Sequence, residues 1–219
     1  MKRYAIPILV ALAFVAIAPA RPAFAAGVAG AAKTKAKTSA APAVVDSLDL
    51  LQKAVARDSS NWGNLYRLGL MLMDRDRPQE AVRVLTRATQ ARAENVPTLV
   101  NLGAAYDALG QASQAQLRYN EALKIAPEDT VATCRLASSL YSTGDYAKAI
   151  DLLRGLIAKN PGAYCAYFTM GVAFADAGIY KDAIRMWEKV VALSPTSPEA
   201  MSAKESIDVL QRVIQSNQH

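Results

Sequence analysis

Two thiols, Cys134 and Cys165, and one imidazole, His219, are the side chains of this 219-residue chain best suited to soft nucleophilic or metal chemistry. Covalent or proton-transfer turnover needs a nucleophile, a base and a group that orients them. His219 is the last residue, where a chain end frays, so a Ser-His-Asp triad or histidine acid–base chemistry has no positioned base. Most metal sites go with it, because two cysteines without histidine partners fall short of a closed ligand set. Asp107, Asp145, Asp176 and Asp182 fall near helix ends and surfaces, where capping and solvation account for them better than a catalytic pair. The glycines keep a long fixed spacing, not the short spacing that cradles a phosphate. The expectation is therefore no catalytic residue, no metal, no cofactor and no small-molecule substrate.

The elements that carry these residues come from a repeat. Gly69, Gly103, Ala137 and Gly171 are each 34 residues apart. The same step links Leu68, Leu102, Leu136 and Met170, and Ala81, Ala115, Ala149 and Ala183. It also links Leu72, Tyr106, Leu140 and Phe174, and Leu85, Tyr119, Leu153 and Trp187. Within a copy, apolar residues recur three and four apart, the period of a helix and not of a strand. Gly110, Gly144 and Gly178 break each copy where a helix end favours a left-handed residue, and Asp76-Arg77-Pro78 is the matching break in the first copy. Pro127, Pro161 and Pro195 close the second helix of their copies, since proline cannot donate to the preceding turn.

The run Asn101-Leu102-Gly103-Ala104-Ala105-Tyr106, followed by Ala115, Tyr119, Ala122 and Pro127, resembles the tetratricopeptide-repeat signature. Four copies cover 62–95, 96–129, 130–163 and 164–197. Leu156 and Val190 depart from the pattern, standing where Ala88 and Ala122 are small, and Ala93 replaces the closing proline of the first copy. The resemblance implies an all-α solenoid of four helical hairpins. A half-repeat helix within 44–61 precedes them, carrying Leu48, Leu51 and Val55 on one face. A capping helix and tail, 198–219, follow, with Ser197 as N-cap, Pro198 at the first position, and Lys204, Glu205, Asp208 and Arg212 as a polar outer face.

In this family the first helices line a concave face, and successive ones are neighbours. Cys134 and Cys165 lie on the first helices of the third and fourth copies, three residues apart once the repeat step is removed. The resemblance therefore allows a disulfide between them; the other reading is two small apolar side chains that fill the groove. The implied lining is Tyr66, Leu70 and Met73, then Val100, Asn101 and Ala104, then Val131, Cys134, Arg135 and Tyr141, then Cys165, Phe168, Thr169 and Val172. An apolar stripe with a polar rim suits an extended segment or an amphipathic helix of a protein partner. Asn101 and Arg135 match two places of the carboxylate clamp found in one subclass, but Tyr66, Leu70 and Val131 do not match the others, so no clamp is expected.

The ends address location and charge. Lys2 and Arg3, the apolar Ala5–Ala18 stretch and Ala23-Phe24-Ala25 have the form of an export signal, 1–25, cleaved after Ala25. This implies an exported bacterial protein of the periplasm; the alternative is an uncleaved inner-membrane anchor with the rest facing the periplasm. Residues 26–43 lack aromatics and bury little, so they read as a flexible linker. Their Lys33, Lys35 and Lys37 either solubilise the linker or bring the chain near anionic lipid heads. With Lys2, Arg3 and Arg21 they make up six of the 25 basic residues, so the rest match the 19 acidic ones. That neutrality argues against a nucleic-acid surface. The expectation is a non-catalytic interaction scaffold of the cell envelope. The alternative is a self-assembling, homo-oligomeric structural subunit of a pilus, secretion or maturation machine.

Overall fold

The computed structural model describes residues 47–217; segments 1–25 and 26–43 and His219 lie outside them. Ten helices follow one another, and no strand occurs among the described residues: α1 Ser47–Arg57, α2 Trp62–Asp74, α3 Pro78–Ala91, α4 Val96–Ala108, α5 Ala112–Ile125, α6 Thr130–Ser142, α7 Tyr146–Lys159, α8 Tyr164–Asp176, α9 Tyr180–Leu193 and α10 Pro198–Ser216. Helices α2–α9 form four hairpins. α1 occupies the place of a second helix ahead of them, and α10 the place of a first helix after them.

Local signals set the ends. Asn61, Asn95, Asp129 and Ser197 each accept a bond from the backbone N–H three residues on, capping α2, α4, α6 and α10. Such a cap satisfies one of the orphan N–H groups of the first turn and contributes about 1 kcal/mol. α8, with Ala163 at its N-cap, has none. At the hairpin bends Gly110, Gly144 and Gly178 have positive φ, and Asp76 holds the equivalent place in the first repeat at φ 54°.

Packing couples neighbours in two ways. Each second helix lies against its own first helix and against the next one, whereas the first helices also touch one another in sequence. No two second helices come within contact of each other. A row that touches on one side and gapes on the other must curve, so the first helices form the inner, concave wall.

The hairpin crossing is where sequence and packing meet. A Cβ placed on Gly69 would lie 2.5 Å from Leu85, one on Gly103 2.4 Å from Tyr119, and one on Gly171 2.3 Å from Trp187. Bare backbone at these three places lets the large side chain of the second helix lie directly on the first helix. The third repeat has Ala137 there, opposite Leu153. Leu156 is also buried in this repeat, where the first two have Ala88 and Ala122. Both substitutions add volume on the inner side of α7. That helix stands away accordingly: eight of its fourteen residues are exposed, against five or six in α3, α5 and α9. Between α5 and α7, over the back of α6, lies an open crevice of about 960 Å³ with Leu123, Leu136, Leu140 and Leu152 among its lining.

Two glycines should respond oppositely to alanine. Gly103→Ala drives a methyl into the Tyr119 ring and should lower the unfolding free energy by about 1–3 kcal/mol. Gly155→Ala, in mid-α7 with nothing within 4 Å of the added atom, should raise it by roughly 0.5–1 kcal/mol. Urea denaturation followed by circular dichroism measures both; equal effects would sink this account of the crossing.

Candidate functional site

The inner wall is built from one face of α2, α4, α6 and α8, and its residues repeat in register. Arg67, Asn101, Arg135 and Thr169 form one row, 34 residues apart along the chain. Arg67 and Arg135 are exposed. The Asn101 amide donates to the Tyr66 hydroxyl at 3.2 Å and to the Pro97 carbonyl at 2.8 Å. The Thr169 hydroxyl donates to the Cys165 carbonyl at 3.2 Å. The two arginines thus present guanidinium groups to solvent, while the residues between and beyond them are tied to the wall.

The expected lining divides by burial. Val131, 55% exposed, and Arg135 stand fully on the surface. Tyr66, Leu70, Ala104, Tyr141 and Thr169 are half-buried. Val100 and Cys134, each 7% exposed, lie between adjacent first helices and offer little surface. Met73 packs on the first hydrophobic cluster, and Phe168 and Val172 on the last, beside Trp187 and Leu210. The wall is consequently most open at its centre, around Val131 and Arg135, and mostly structural at its ends.

Tyr66 stacks on Trp62 with ring centroids 5.6 Å apart, and Arg92 lies over the Trp62 ring at 5.0 Å. The Trp62 indole N–H donates to the Thr98 hydroxyl at 3.1 Å, joining the first repeat to the second. Tyr141 donates to Asp176 at 2.9 Å and meets Tyr146 edge-on at 4.9 Å. A disulfide joins Cys134 of α6 to Cys165 of α8, with Cα atoms 6.1 Å apart. That separation is ordinary for a bridge. Cys134 is buried and Cys165 is half-buried.

Of the four aspartates read as caps and solvated groups, Asp145 and Asp176 are exposed to solvent, as expected. None makes a side-chain cap; the caps are Asn61, Asn95, Asp129 and Ser197. Asp145 pairs with Lys148, Asp182 with Arg185, and Asp176 accepts from Tyr141. Asp107 is half-buried and accepts from the Tyr119 hydroxyl at 2.7 Å and the Ser139 hydroxyl at 3.0 Å. It thereby ties both helices of the second repeat to the third. Burial raises its carboxyl above the usual 3.8, outweighing the two hydrogen bonds and the Arg135 charge that pull it down. Burial and the Asp107 charge push the Tyr119 hydroxyl far above its ordinary range, so it remains a donor. Sequence reasoning missed this triad because its members come from three helices. Arg67 it also missed, although counting 34 residues back from Asn101 finds it.

Among the described residues no group of three or more His, Cys, Asp or Glu is placed to hold a metal, and no helix is long and apolar enough to cross a membrane. The wall offers shape, apolar surface, the exposed Arg67 and Arg135 guanidinium groups and hydroxyls. These are means of holding a polypeptide.

Two models of the tetratricopeptide repeat match the chain, at residues 72–133 and 134–198. The BBSome complex member BBS4 of Bos taurus is 24% identical over 164 residues, which are 75% of this chain and 31% of that protein. The chain thus spans about a third of the length of this curated relative. The crystal structure of MamA superposes with a TM-score of 0.58 at 22% identity, covering 68% of this chain and 86% of that one. YrrB, described as a tetratricopeptide-repeat protein with an unusual peptide-binding site, superposes with a TM-score of 0.54 at 25% identity, covering 72% and 81%.

Asp107 gives this wall a pH signature. Its folded pKa is raised, so folding favours the protonated form. The stability it contributes is complete below pH 3.8 and is lost as pH rises through the raised folded value. Asp107→Asn removes that titration. Urea unfolding of both proteins should show the variant gaining on the parent from below pH 3.8 to neutral. Parallel pH profiles would remove Asp107 from the account.

Proposed function

Because the chain belongs to the tetratricopeptide-repeat family, we propose that it is a non-catalytic scaffold that holds a segment or helix of a protein partner against its concave wall. Neither matched model is that of a catalytic family, and such repeats serve protein–protein interaction. The observation that carries the reading is the centre of the inner wall. Val131 and Arg135 are exposed there, although stacking of α6 between α4 and α8 uses the residues on either side of them. A contiguous apolar surface with a polar rim marks a partner site, and arginine is enriched in such interfaces. The peptide-binding site of YrrB offers a precedent on the same fold. From the export-signal pattern of residues 1–25 we infer that this activity is in the bacterial envelope, either free in the periplasm or anchored on its inner face.

Self-assembly is the second reading, and one feature favours it. Among the described residues α1 is a second helix without a first, and α10 a first helix without a second. Met201 and Val209 of α10 are 45% and 49% exposed. Against it, Lys204, Glu205 and Asp208 occupy the face of α10 that a following second helix would cover, and ending an array needs such a polar face.

Capture separates the readings. The purified chain is immobilised and exposed to solubilised envelope proteins of its source, beside the variant Val131→Glu/Arg135→Glu. Both positions are exposed, so the variant should keep its helicity by circular dichroism. Retention of a protein by the parent, with at least about a tenfold loss on the variant, supports the groove. Equal retention by both, or none by either, overturns it, and a mass that grows with concentration then supports self-assembly.

A further inference from the structure

We propose that the Cys134–Cys165 disulfide is the latch of a redox-sensitive joint between the third and fourth repeats, opened by a dithiol reductant. Four independent features weaken this joint elsewhere. Ala137 and Leu156 add bulk on the inner side of α7, which makes sparser contact with α8 than α3 makes with α4 or α5 with α6. α8 has Ala163 at its N-cap and no side-chain cap, unlike α2, α4, α6 and α10. Gly155 removes helix propensity from the middle of α7. Side-chain hydrogen bonding across the joint is the exposed Tyr141–Asp176 pair. By contrast, Trp62–Thr98 and Asn101–Tyr66 join the first two repeats, and the Ser139–Asp107 and Gln116–Thr143 pairs join the next two.

The bridge takes over what packing has given up. It pins α6 directly to α8 and closes a loop that contains the whole of α7, with 31 residues of sequence separation. A cross-link of that length restricts the open state strongly. It is also reachable. Cys165 is half-buried, whereas Cys134 is buried, so an incoming thiolate meets the Cys165 end of the bridge first. Attack there forms a mixed disulfide on Cys165 and expels Cys134 as a thiolate, which takes up a proton. The reductant's second thiol then attacks its own sulfur in the mixed disulfide and releases Cys165 as a thiol. Two electrons and two protons pass to the protein, and the dithiol leaves as a disulfide. With the latch open, α7 is held by its looser seat on α6 and its sparse contact with α8, and the spacing of α6 from α8 is free to change. The curvature of the inner wall at its most open point would follow the redox state.

Hydrogen exchange read by mass spectrometry tests this on the purified chain, without and with dithiothreitol. It does not depend on any partner binding the groove, so it stands or falls separately from that reading. Reduction should speed exchange in α7 and the first turns of α8 by about tenfold or more, and leave α2 to α5 unchanged. Removing the reductant and re-oxidising should restore the slow pattern. A Cys134→Ser/Cys165→Ser chain should show the fast pattern throughout and ignore dithiothreitol. If that variant fails to fold, the reversible change in the parent still decides. Exchange in α6–α8 that is unaltered by reduction overturns the proposal. So does loosening spread evenly over all helices, or two alkylatable thiols in the unreduced protein.

Discussion

Near-contact between the two backbones of a hairpin is the constraint on which this architecture rests. At Gly103 the first helix offers no side chain, and the Tyr119 ring lies directly on its backbone, fully buried. Leu85 on Gly69 and Trp187 on Gly171 repeat the arrangement with different fillers. Ala81, Ala115, Ala149 and Ala183 are all fully buried as well, so the second helix is slim one turn before its large residue. Close crossing fixes the angle of each hairpin. The angle fixes where the next first helix must lie, and repetition of that step gives the row its curve.

Where the constraint is relaxed, other devices appear. Ala137 carries a methyl group at the crossing, and Leu156 fills a place that is alanine in the first two repeats. The cost is visible as the crevice between α5 and α7 and the exposure of α7, including Tyr146 at 57%. The covalent link between α6 and α8 stands at this same joint. In a solenoid each repeat is stabilised chiefly by its neighbours, so one poorly seated helix weakens two interfaces at once. A bond that bypasses α7 is an economical remedy.

Polar interactions divide into two kinds. The ion pairs Lys53–Asp49, Arg83–Glu80 and Lys148–Asp145 are local and exposed, and pairs of this type contribute little. The Asp107–Tyr119–Ser139 cluster and the Trp62–Thr98 bond reach across helices and repeats, where partial burial strengthens them. Neither kind consumes Arg67 or Arg135. The inner wall therefore keeps cations and apolar surface exposed to solvent.

Helix number, order and pairing were legible in the sequence because each depends on local or strictly periodic signals. The 34-residue step, the bend glycines and the terminal prolines act within a few residues of where they stand. The groove was legible only as a register. Counting from the repeat assigns Val100 and Phe168 to the same row as Tyr66, but their burial depends on what the neighbouring helix places over them. Asp107 shows the limit most directly: beside a helix end it reads as a solvated group, and only folding brings Tyr119 and Ser139 to its two oxygens. Likewise the sequence displays Ala137 and Leu156 as small departures from a pattern. Their joint effect on α7 is a matter of volume summed in three dimensions. Periodicity along the chain determined which helices form and in what order they stack; the filling of space between them, a property of no single segment, decided which side chains remain exposed on the inner wall.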